Sequence, residues 1–108
     1  MGTVRWDLAK VGNLRGSGPP AMVGEFVASG VTTTNASTAT VLDDGAAGAG
    51  SDITAVVGQV LTVVSDELGR LKLGGGTATV NSGFVLQAGI SRSFEITVSG
   101  TMSVFDDA

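Results

Sequence analysis

The chain has 108 residues, 43% of them hydrophobic, with 17 glycines, no cysteine, no histidine and a formal net charge of −4; such a length suits one domain rather than two. Without cysteine there is no disulfide and no thiolate metal site, and without histidine the usual general base, the usual metal ligand and every serine–histidine–aspartate arrangement are excluded. The apolar residues are mainly Val, Ala and Leu, which with so many glycines favours short strands and tight turns over helices.

In chain order, residues 1–22 show no sustained helical or strand period and hold both prolines and the only Trp. Arg5, Lys10 and Arg15 stand there against Asp7 alone, a net +2, whereas the remaining residues carry −6. We therefore expect residues 1–22 to form an extended N-terminal arm and residues 23–108 to form the domain. An unattached terminus is the ordinary fate of such a segment. The more specific expectation is an arm that orders on a partner, with Trp6 as its anchor and Arg5, Lys10 and Arg15 as its cationic contacts. An acidic body repels phosphate backbones, so a nucleic-acid partner is not expected.

From residue 23 a period of two begins. VGEFVASGV and TATVL read as strands joined by the polar TTTNAST, and DDGAAGAGSD (43–52) reads as a small-residue loop bounded by acids. GQVLTVVSD is apolar on both faces and should be a central strand. After the Asp66-Glu67-Leu68-Gly69 turn, RLKLG points Leu71 and Leu73 inward and Arg70 and Lys72 outward. FVLQAG follows, then SRSFEITVS, whose Phe94, Ile96 and Val98 alternate with Ser93, Glu95, Thr97 and Ser99. Ser99-Gly100 reads as a hairpin turn into TMSVFD. The fold class expected is all-β, a single β-sandwich or jelly roll of seven or eight short strands with an N-terminal arm.

Few residues carry a pattern that chemistry would need. The Gly74-Gly75-Gly76 run lacks the Lys-Ser/Thr of a phosphate loop and enters no helix, so it reads as slack between strands. GAAGAG at 45–50 lacks the dinucleotide-binding spacing. Asp43, Asp44 and Asp52 could gather a calcium ion with loop carbonyls, but EF-hand spacing is absent and solvated loop acids are the ordinary case. Asn35-Ala36-Ser37 matches the glycosylation triplet by chance. No enzyme activity and no cofactor are expected. AVVGQVLTVV is about half the length of a membrane helix, and the Met1 end has no basic segment followed by an apolar one, so no membrane partner and synthesis in the cytoplasm are expected.

The second half of the chain resembles the small β-proteins encoded beside the head genes of tailed bacteriophages. Ser65-Asp66, Thr77-Ala78-Thr79, Leu86-Gln87-Ala88-Gly89, Phe94, Gly100 and Ser103-Val104 stand at matching places, over about residues 56–106. Gly75-Gly76 replaces a proline common in that pattern, and the N-terminal segment has no counterpart. The resemblance implies a capsid decoration (cement) protein, a homo-oligomer (a trimer is the guess) bound to the major capsid protein on the virion surface. A head fibre, spike base or tail accessory protein is the first alternative and a glycan- or receptor-binding module the second. On that reading the arm residues Arg5, Trp6, Lys10 and Arg15 make the capsid contact, with strand edges and the 43–52 loop as second choices.

Overall fold

The computed structural model describes residues 2–10, 25–44 and 51–107. These residues are all-β and form ten strands: β1 (Gly2–Lys10), β2 (Phe26–Thr34), β3 (Ala39–Val41), β4 (Thr54–Ala55), β5 (Gln59–Ser65), β6 (Gly69–Lys72), β7 (Phe84–Leu86), β8 (Arg92–Glu95), β9 (Gly100–Thr101) and β10 (Ser103–Asp106). Two four-stranded sheets, ordered β2-β1-β5-β8 (sheet A) and β3-β10-β6-β7 (sheet B), lie face to face, with a small β4-β9 pair beside them. Every strand pair is antiparallel.

The pairing is nested. β6 pairs with β7, β5 with β8, β4 with β9 and β3 with β10, each pair enclosing the one before it. A long hairpin folded over on itself in this way, with its successive pairs shared between two sheets, is a jelly roll. One departure stands out. The strand that should pair with β2 at the outermost level would follow β10 in the chain, and β1 occupies that place instead. Gly2 pairs with Thr34, whose Oγ1 donates to Asp106 Oδ2 at 2.9 Å. The first strand therefore starts beside the end of the last one, and the chain reads as a jelly roll opened at a different point.

The expectation of an arm over residues 1–22 is corrected by this placement. Residues 2–10 are a strand between β2 and β5, with Val4, Trp6 and Leu8 at 0%, 3% and 0% exposure while Arg5 and Asp7 face outward. The alternation Val4-Arg5-Trp6-Asp7-Leu8 is a period of two, but it is brief and runs into glycines and prolines that mask it. Residues 11–22 of the expected arm lie outside the described residues.

The core lies between the sheets. Val4, Trp6, Leu8, Leu61, Val63 and Phe94 of sheet A meet Leu71, Leu86 and Val104 of sheet B, with Leu42, Ala55, Ile96 and Met102 closing the ends. The central position expected for β5 holds. So does the inward aspect of Leu71. Three details of the sequence reading change. Thr32 and Thr34, expected in a polar connection, are buried in β2, where Thr32 bonds Asp43 and Thr34 bonds Asp106. The strand at SRSFEITVS stops at Glu95, so Ile96 is buried but Val98 is 61% exposed. Gly100 opens no hairpin; β9 pairs with β4 instead.

The glycine run is more than slack. Gly74 and Gly75 have φ of +82° and +87°, a region that favours glycine, and the Gly75 N–H donates to the Thr101 carbonyl at 3.0 Å. A Cβ on Gly100 would lie 2.5 Å from Gly74 C and 2.5 Å from Gly75 N. Two backbones cross here at a distance that no side chain permits.

Candidate functional site

The four residues expected to make a contact end up in different places. Trp6 is interior, its indole Nε1–H donating to the Asp43 carbonyl at 3.1 Å, so it holds the segment after β3 against β1 and offers nothing to a partner. Arg5, one residue earlier, is exposed on the opposite face of the same strand. Lys10 sits at the end of β1, its Nζ 3.6 Å from the Glu25 carboxylate with both side chains largely in solvent. Such an exposed pair contributes little to stability. Arg15 lies outside the described residues.

What β1 does create is the outward face of sheet A. The register places Arg5 between Val31 and Val64, and Asp7 between Ser29 and Thr62, with Thr3 beside Thr33. Thr62 continues across to Ser93, their hydroxyls 3.0 Å apart. This is a broad surface of short hydroxyl and β-branched side chains with one cation and one anion side by side. Its relief is slight: a shallow depression of about 160 Å³ lined by Arg5, Trp6, Asp7, Ser29, Thr62, Val63 and Val64. Ligand sites for small molecules are usually concave and enclosing; this face is neither.

A second feature lies where β7 and β8 flank one open side of the sandwich. The Phe84 and Phe94 rings, from opposite sheets, have centroids 4.9 Å apart. The Arg92 guanidinium lies 4.9 Å over the Phe94 ring and donates to the Val85 carbonyl at 2.6 Å. The stack closes the side, yet Phe84, Val85, Ile90 and Val98 remain exposed around it. Sequence alternation alone did not find it, because Phe84 points inward by parity and is uncovered only through its place on an edge strand.

At the end where β1 begins, carboxylates converge. Asp66 Oδ1 accepts the Thr3 N–H at 2.7 Å, and Asp106, 2% exposed, accepts from Thr34. The Glu67 carboxyl is held above its ordinary value by a hydrogen bond shared with Asp106, then by burial, then by the neighbouring Asp106 charge. In the acidic loop, Asp44 Oδ1 accepts the Ser51 N–H at 3.2 Å and Asp43 pairs with Asp52 across the strand bridge. Among the described residues no group of three Asp or Glu side chains is placed to hold a metal ion, and no helix is long and apolar enough to cross a membrane.

No family model, curated protein or solved structure matches the chain.

Proposed function

We propose that the protein is a virion structural protein, a capsid decoration protein that lies on the outside of a phage head and reinforces it. The observation that carries the proposal is the outward face of sheet A, wide, shallow and built of short side chains around Arg5 and Asp7. Such a face fits another protein surface better than a small molecule. It is joined by the likeness of residues 56–106 to small phage head proteins; here Ser65-Asp66 and Leu86-Gln87-Ala88-Gly89 each begin on the last residue of a strand, β5 and β7. The partner is the major capsid protein, and the location is the virion surface. No catalysis and no cofactor are part of the proposal.

The mechanism is contact multiplied by copy number. A flat face touching more than one capsid subunit engages them together, and linked contacts raise occupancy well beyond each one alone. A shell so bridged opens more slowly, because more contacts must break at once. The contact is carried by Arg5 and the surrounding Ser29, Val31, Thr33, Thr62 and Val64, in place of the arm.

The test is sedimentation of capsids with added protein at low and physiological salt. Ser29→Trp, which raises a bulky ring beside Asp7 on that face, is expected to abolish stoichiometric binding while leaving the fold intact. Arg5→Glu is expected to weaken binding by no more than about fivefold, mainly at low salt, because exposed charges are screened. Full occupancy by Ser29→Trp would rule out this face. Copy number in purified particles separates uniform decoration from a fibre or spike base, which occupies few special positions.

A further inference from the structure

We draw no further inference here: the strongest candidate, the shallow groove on the β7/β8 side lined by Leu73, Phe84, Glu95 and Val98 beside the Phe84–Phe94 ring pair, is an exposed apolar patch, and nothing in the structure shows what covers it.

Discussion

At the residue scale, the interior position of Trp6 decides most. Its ring contacts the core, and its N–H satisfies the Asp43 carbonyl. Trp6→Ala is therefore expected to cost on the order of 3–5 kcal/mol of stability, readable by denaturant unfolding. The native emission of this single Trp should be that of a buried indole; a solvent-exposed spectrum would contradict its placement. Phe94→Ala should cost a similar amount, about 3–5 kcal/mol, whereas Val98→Ala, expected from alternation to be equivalent, should fall within about 0.5 kcal/mol because Val98 is 61% exposed. Glu67 adds a pH dependence with a definite sign. Folding raises its pKa through the hydrogen bond shared with Asp106, beside Asp66 and the Thr34 hydroxyl. The proton-bound pair thus stabilises the fold fully below the ordinary Glu value of 4.5 and loses that effect as pH rises through the higher folded value. Glu67→Gln keeps a donor toward Asp106 and cannot ionise, so it should flatten the decline in urea midpoint above pH 4.5. An unchanged decline would assign the pH dependence elsewhere.

At the element scale, strands with a long or doubly apolar pattern were legible from sequence and the ends of strands were not. GQVLTVV announces a central strand because both of its faces are apolar. VRWDL alternates apolar with charged residues over only five positions, too few to outweigh the glycines and prolines that follow, and the positive charge of the segment suggests an arm. Charge was a poor guide: Arg5 is exposed because it alternates with Trp6 on a strand, which says nothing about a segment leaving the body. The candidate face shows the same limit. Arg5 was singled out by type, but Ser29, Thr62 and Val64 become its neighbours only through pairing of β1 with β2 and β5, and pairing across distant segments leaves no local trace. The backbone crossing at Gly100 is likewise invisible until Gly74 and Gly75 are seen against it. Gly100→Ala should cost roughly 1–3 kcal/mol through overpacking, since its Cβ would meet backbone at 2.5 Å. A neutral effect on the unfolding midpoint would show that the crossing can open.

At the scale of the whole molecule, the nested pairing makes the two chain ends neighbours and turns β1 into the closing strand of sheet A. Removing residues 1–10 should leave a chain that does not fold, since β2 and β5 would both lose their shared partner. A circular permutant that places β1 after β10 through a short linker should fold, because Gly2 and Asp106 already lie side by side. The functional proposal belongs to this scale too, since a flat outward face acts only when many copies meet a lattice. Reconstruction of phage particles from cells that make the protein tests it most directly. The account predicts many symmetry-related copies on the outer shell, each with the Arg5 face of sheet A turned toward capsid subunits. Particles without the chain, or copies attached through another face, would contradict it.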